Sequence, residues 1–342
     1  VHLSFVEQSR GFDVHGFRRY ASGTTPHREV VIVRNRYTES WQGILLEFEP
    51  DPPHRITSIE LTAARAPKDA PPEPPLTLEE LGPALETFLD RLAETEEFSG
   101  SVLLARDGTV LYVGARGLAD RNLEVPNRAD SKFNLGSMNK MFTAVVIGQL
   151  VDEGRLAFED TVDRWLDGRG WTKADLSKVR VEHLLAHTAG FGSYFNDTWS
   201  RTARQLLREV DDYKPFLAEE TLAFEPGTRF PYSNSGFILH GAVIEAVTGQ
   251  DNFDVVRERV YARAGMPNTD CYDLDFVVPN LAIGYWQDGG RWRNNTFDHV
   301  IRGGPAGGGY STAPDLLAFA EALRGGRLVS PATLERMWTP TG

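Results

Sequence analysis

From Met138 to Val151 the chain runs almost without a polar face. Met138, Met141, Phe142, Val145, Val146, Ile147, Leu150 and Val151 cover the circumference of a helix. A helix that is apolar nearly all round belongs in an interior. The segment therefore predicts a buried helix, with Gly154 as its stop. Lys140 stands inside that run, and a lysine carried inward by its own helix requires a reason. Ser137 lies one turn earlier, on the same face. A serine hydroxyl becomes a nucleophile when a neighbour takes its proton, and a desolvated lysine with a lowered pKa can be that neighbour. The positive end of the helix dipole favours an oxyanion at Ser137 and disfavours charge on Lys140. Ser-x-x-Lys alone is common as a capping serine followed by a solvated lysine. The apolar setting of Lys140 separates the two cases.

A second constellation follows in Tyr232-Ser233-Asn234, on turn chemistry (Pro226-Gly227, Pro231) ahead of a helix over Phe237–Val247 that ends at Gly249. A tyrosine and an asparagine two residues apart on such a loop can face one cleft. The phenol can relay a proton, and the amide can orient a lysine or a substrate carbonyl.

The rest of the chain sets these motifs in a frame. Residues 1–66 read as a small accessory α+β module whose β-rich runs (Val30–Val33, Trp41–Phe48, and Ile56, Ile59 and Leu61) are separated by prolines, as in a meander. Residues 67–76 hold Pro67, Pro71, Pro72, Pro74 and Pro75 and read as a semi-rigid linker. Residues 77–342 form the second domain. It opens with a helix from Leu78 to Leu92, and Asp107-Gly108 then joins two apolar runs as a hairpin.

Composition removes several function classes. The charge is 36 Lys+Arg against 48 Asp+Glu, a net −12, which opposes a phosphate backbone or an anionic membrane surface. No apolar run reaches the ~20 residues of a membrane span. Cys271 is the sole cysteine, so neither an intrachain disulfide nor a cysteine-based zinc cluster is available. The chain opens with Val1 rather than methionine, as a segment removed upstream would leave it. Secreted, periplasmic and cytoplasmic locations all stay open, as does the oligomeric state.

Four motifs occur in order: Ser137-Met138-Asn139-Lys140; Leu184-Leu185-Ala186-His187-Thr188-Ala189-Gly190; Glu225-Pro226-Gly227-Thr228 with Tyr232-Ser233-Asn234; and Pro305-Ala306-Gly307-Gly308-Gly309-Tyr310-Ser311-Thr312. From about residue 85 onward the chain thereby resembles the β-lactamase-related serine hydrolases, a group that includes class C β-lactamases, D-alanyl-D-alanine peptidases, D-aminopeptidases and family VIII carboxylesterases. The resemblance implies an α/β (α+β) fold of the β-lactamase/transpeptidase type, in which an antiparallel sheet flanked by helices meets a helical subdomain at the active site. It implies that Ser137 is acylated, that Lys140 holds its proton and that Tyr232 acts as base. Asn234 would fix Lys140 and the substrate, the Ser137 N–H would supply half of an oxyanion hole, and Gly307 and Gly308 would line the substrate cleft. No cofactor or metal is implied, and the substrate is a small ester or amide.

The third motif of the family (Lys-Thr-Gly, or His-x-Gly or Trp-x-Gly) is not found after Trp338, so the expectation is a domain incomplete at its C-terminal end. Trp41-Gln42-Gly43 spells that motif but lies in the first module. Lys-Thr-Gly carries the cation that meets the carboxylate of β-lactams and peptides. Without it, a carboxylesterase for short-chain esters is the favoured reading. A β-lactamase or D-amino-acid peptidase, and a non-catalytic penicillin-binding sensor, are the alternatives.

Other residues take quieter readings. His183 and His187 could share a helix face as metal ligands, but no glutamate or third ligand accompanies them. Cys271 reads as a packed thiol. Thr312-Ala313-Pro314-Asp315 reads as a capping box with proline in the first turn.

Overall fold

The computed structural model describes residues 11–19, 27–36, 38–71 and 74–339. The chain divides into two compact units, Val1–Phe98 and Ser99–Gly342. The division falls after the first long helix, so the proline-rich stretch lies within the first unit.

In the first unit, strands β1 (Phe12–Arg19), β2 (Arg28–Asn35), β3 (Trp41–Phe48) and β4 (Ile56–Ala63) form an antiparallel meander in chain order. Alternate strand residues face opposite sides of a sheet. Val30, Val31, Ile32 and Val33 are nevertheless all buried, so β2 is covered on both faces. Ile56, Ile59 and Leu61 do form a strand, but at the sheet edge and exposed. Helix α1 (Leu78–Glu94) starts at a reciprocal cap: Thr77 Oγ1 accepts from Glu80 N–H at 3.3 Å, and Glu80 accepts from Thr77 N–H at 2.8 Å.

The second unit opens with hairpin β5 (Gly100–Arg106) and β6 (Thr109–Arg116). Asp107 and Gly108 both take positive φ, 50° and 78°, the conformation that a two-residue hairpin turn demands. Two short pairs follow. The first joins β7 (Leu118–Asp120) to β8 (Val125–Pro126). The second joins β9 (Phe133–Asn134) to a strand at Tyr310–Ser311. Helix α2 (Lys140–Asp152) then enters the core, followed by the one-turn helix α3 (Val181–Leu185) and by α4 (Ser235–Thr248). Gly154 past α2 and Gly249 past α4 take the left-handed φ expected of helix stops.

Helices α2 and α4 pack on each other. Phe142, Val146, Ile147 and Leu150 meet the same core as Ile238, Leu239, Val243 and Ile244, all at 0% exposure. Each such side chain stabilises the fold by about 1.5–3 kcal/mol. Because both helices are buried on every side, whatever stands at their N-terminal ends is fixed by the core.

Helix α5 (Ala313–Arg324) packs on β5, giving the hairpin a helical cover, and α6 (Pro331–Trp338) packs on α2. The cap of α5 is half the expected box. Thr312 Oγ1 accepts from Asp315 N–H at 3.2 Å, but the Asp315 carboxylate turns to Asn268 N–H and the Thr269 hydroxyl. A buried carboxylate is satisfied by the donors that surround it, and here those lie outside the cap. Among the described residues no helix is long and apolar enough to cross a membrane.

Candidate active site

Ser137 lies in a tight 3-10 turn, Gly136–Asn139, and the α-helix begins at Lys140. The serine thus precedes α2 rather than starting it as the sequence suggests. Gly136 takes φ 51°, and its N–H donates to Asn134 Oδ1 at 2.8 Å. This turn leaves Ser137 exposed while Lys140, at 7% exposure, is buried. The site is therefore dry at the amine and open at the hydroxyl.

Lys140 Nζ donates to Ser137 Oγ at 3.3 Å and to Asn234 Oδ1 at 2.9 Å, and also to the Ala306 carbonyl. The rings of Tyr232 and Phe237 flank it, with centroids 4.9 and 5.5 Å from Nζ. The Tyr232 phenol faces both Lys140 and Ser137, near enough for each to lower its pKa. Asn234, the residue before α4, donates from Nδ2 to Ser193 Oγ at 3.1 Å. That bond aims its carbonyl oxygen at the lysine.

The glycine-rich segment closes the third side. Gly304 and Gly307 exchange N–H···O bonds of 2.7 and 3.1 Å around the Pro305-Ala306 tip. The Thr143 hydroxyl donates to the Pro305 carbonyl at 3.0 Å, holding the tip on α2. Gly308 N–H donates to the Gly136 carbonyl at 3.1 Å, and Leu135 N–H to the Gly309 carbonyl at 2.9 Å. A Cβ on Gly308 would stand 2.5 Å from the Gly303 Cα, a contact no side chain survives. The N–H groups of Gly307 and Gly308 are thus engaged within the protein. Gly307 lies against the nucleophile turn, where an added Cβ would stand 3.2 Å from the Gly136 oxygen and 3.7 Å from Ser137 N.

The electrostatics follow from burial. Desolvation lowers the Lys140 pKa below the usual lysine range, and its contacts with Tyr232 offset this only in part. For Tyr232, partial burial raises the phenol, but the hydrogen bonds to Lys140 and Ser137 and the lysine charge bring it below its ordinary value. Both groups thus move toward neutral pH, where a proton acceptor is most useful. Burial pushes the Cys271 thiol up to about 12. It accepts from Asn139 Nδ2 at 3.6 Å as a packed thiol.

His183 and His187 do not share a helix face. Helix α3 ends at Leu185, and His187 lies beyond it at φ 58°. His187 instead stacks on Tyr232, with centroids 4.4 Å apart, and accepts the Ser233 N–H on Nδ1 at 3.0 Å. Trp41-Gln42-Gly43 is a stretch of β3 paired to both neighbours in the first unit. The motif reading missed the contacts of His187, the amide anchor Ser193 and the Ala306 carbonyl. Two of these were inside quoted motifs, but neither a carbonyl's direction nor a ring's partner is encoded in residue type. Nothing in the sequence signals Ser193.

Comparison with known proteins covers most of the chain. A family model described as Beta-lactamase matches residues 85–342. Penicillin-binding protein 4* of Bacillus subtilis (strain 168) is 31% identical over 273 residues, 75% of this chain and 59% of that protein. Esterase EstB of Burkholderia gladioli is 33% identical over 217 residues, 60% of this chain and 55% of that protein. The crystal structure of a penicillin-binding protein from Bacillus halodurans has a TM-score of 0.68 at 32% identity, covering 74% of this chain and 77% of that one. The chain spans somewhat more than half the length of these two curated relatives.

Proposed function

The chain belongs to the beta-lactamase family, within the serine hydrolase superfamily, and from that premise we propose that it hydrolyses short-chain carboxylic esters through an ester on Ser137. The observation that carries this reading is the position of a buried amine 3.3 Å from an exposed serine hydroxyl, with the phenol ring of Tyr232 4.9 Å from the same amine. Ser137 Oγ attacks the substrate carbonyl as its proton passes to Lys140 or Tyr232. The oxyanion that forms faces the backbone N–H of Ser137. The proton returns to the departing alkoxide, which leaves as alcohol. Water then attacks the acyl-enzyme with Tyr232, the more exposed partner, as base. Asn234 holds Lys140, and Gly307 keeps the approach to Ser137 open.

Esters are favoured because an alkoxide leaves with little acid help, whereas an amine must be protonated as it departs. The likeness to a protein named as an esterase supports the same choice. A second reading rests on the likeness to proteins named as penicillin-binding: acylation of Ser137 by a β-lactam, with slow or no release. Intact mass after exposure to a fluorophosphonate and to a β-lactam, with turnover of p-nitrophenyl butyrate and a chromogenic cephalosporin, separates the two. Ester turnover exceeding cephalosporin opening supports the esterase. A stable β-lactam adduct without ester turnover supports the second reading. No adduct at Ser137 in either case sinks both.

A further inference from the structure

Tyr232 poses a positioning problem. It is 48% exposed, yet in the proposed reaction its hydroxyl must stay on both Lys140 and Ser137. A displacement of about 1 Å in such a group can cost about 10²-fold in rate.

The support comes from His187. The residue occupies the left-handed region just past α3, and the turn is fixed by Thr188 N–H donating to the His183 carbonyl at 2.8 Å and by Gly227 N–H donating to the Thr188 carbonyl at 2.9 Å. The imidazole is boxed by rings. Tyr232 stacks on it at an interplanar angle of 29°, Phe237 lies tilted at 5.2 Å and Phe230 sits edge-on at 5.9 Å. Its Nδ1 accepts the Ser233 N–H at 3.0 Å. A nitrogen that accepts carries no proton, so the ring is the Nε2–H tautomer. Burial, and then the nearby Lys140 charge, keep the imidazole's pKa below its ordinary value, which preserves that acceptor. Ser233 is also tied through its hydroxyl, which donates to the Gly192 carbonyl at 2.8 Å and accepts from Gly236 N–H at 3.0 Å.

We infer that His187 is a positioning residue for the Tyr232 phenol: Nδ1 pins the peptide that follows the tyrosine, and the ring face backs the phenol, so that the hydroxyl stays on Lys140 and Ser137. The inference rests on the acyl-enzyme reading above and adds to it a residue that touches no substrate.

The two functions of His187 are separable by substitution. His187→Phe keeps a ring but removes the acceptor. His187→Asn keeps an acceptor near the Nδ1 position, and asparagine tolerates the left-handed backbone. His187→Gly takes that backbone without strain and removes both functions. Steady-state kinetics on p-nitrophenyl butyrate are measured for each, alongside thermal melting. The expected result is a loss of about tenfold or more in kcat for His187→Phe, with KM moved by less than about threefold. His187→Asn, which keeps the acceptor but lacks the ring, should retain a kcat between wild type and the variants without an acceptor. If His187→Phe melts at assay temperature, His187→Gly set against His187→Asn isolates the acceptor instead, since neither keeps the ring. A variant lacking the acceptor that keeps wild-type kcat overturns the inference. So does His187→Asn losing as much as the variants without an acceptor, or a loss confined to KM. Wild-type protein that neither labels at Ser137 nor turns over ester sinks the hydrolase reading, and this inference with it. Turnover in wild type with indifferent His187 variants sinks the inference alone.

Discussion

The two walls of the cleft hold their polar groups in opposite ways. On one wall Lys140 is the first residue of a helix buried on all sides, at 7% exposure. On the other, Tyr232 stands on a loop ahead of an equally buried helix and is 48% exposed. The lysine cannot move without disturbing the core. The tyrosine is held by its stack on His187 and its contact with the lysine. The buried wall supplies a group whose pKa is set by desolvation, and the open wall supplies one that water and substrate can reach.

The first test removes the chemistry from the buried wall. Ser137→Ala is expected to lower ester turnover by about 10³-fold or more, read as kcat with loss of the covalent adduct by mass. Lys140→Met should lose nearly as much, but with a melting temperature at pH 7 no lower than wild type. The sign follows from the lowered lysine pKa. Below the folded-state pKa the wild-type fold bears the cost of a buried charge, and methionine does not. Above the ordinary lysine value of 10.5 that cost is absent. The stability difference should therefore shrink as pH rises through the lowered pKa toward 10.5. A Lys140→Met protein that melts well below wild type at pH 7 would mean that the amine stabilises the core, and the contrast between the walls would fail.

Tyr232→Phe probes the open wall. We expect a loss of about 10²–10³-fold in kcat with little change in melting, since a half-exposed hydroxyl contributes little to folding. Its contacts raise the Lys140 pKa in part, so the acid limb of the kcat/KM profile should move to lower pH in this variant. An acid limb that stays in place would separate the two groups electrostatically.

Asn234→Ala, which takes one acceptor from the lysine, should cost about tenfold in kcat. Gly307→Ala adds a methyl 3.2 Å from the Gly136 oxygen and should cost a few-fold, about 1 kcal/mol. An effect larger than that of Tyr232→Phe would place the critical tolerance at the glycine loop instead of the open wall.

What could be read from sequence divides along the same lines. The buried helices, their glycine stops, the Asp107-Gly108 hairpin and the meander were legible because periodicity and turn chemistry are local. Ser137, Lys140, Tyr232 and Asn234 were legible as a set, and the structure brings them together. The Asp315 carboxylate departed from its expected cap because donors distant in sequence were closer to it in space. The shared helix face of His183 and His187 failed because α3 ends at Leu185, two residues before His187. The Ala306 carbonyl, Ser193 and the contacts of His187 became visible only once the chain had folded.

The oxygens around Lys140 sort into two kinds. Those of Asn234 and Ala306 belong to amides and can only receive hydrogen; those of Ser137 and Tyr232 belong to hydroxyls and can also give it up. An uncharged amine has two hydrogens and one lone pair. With both hydrogens directed to the amide side, the lone pair is left facing the hydroxyls. The direction of proton flow is thereby written into which neighbours are unable to reciprocate.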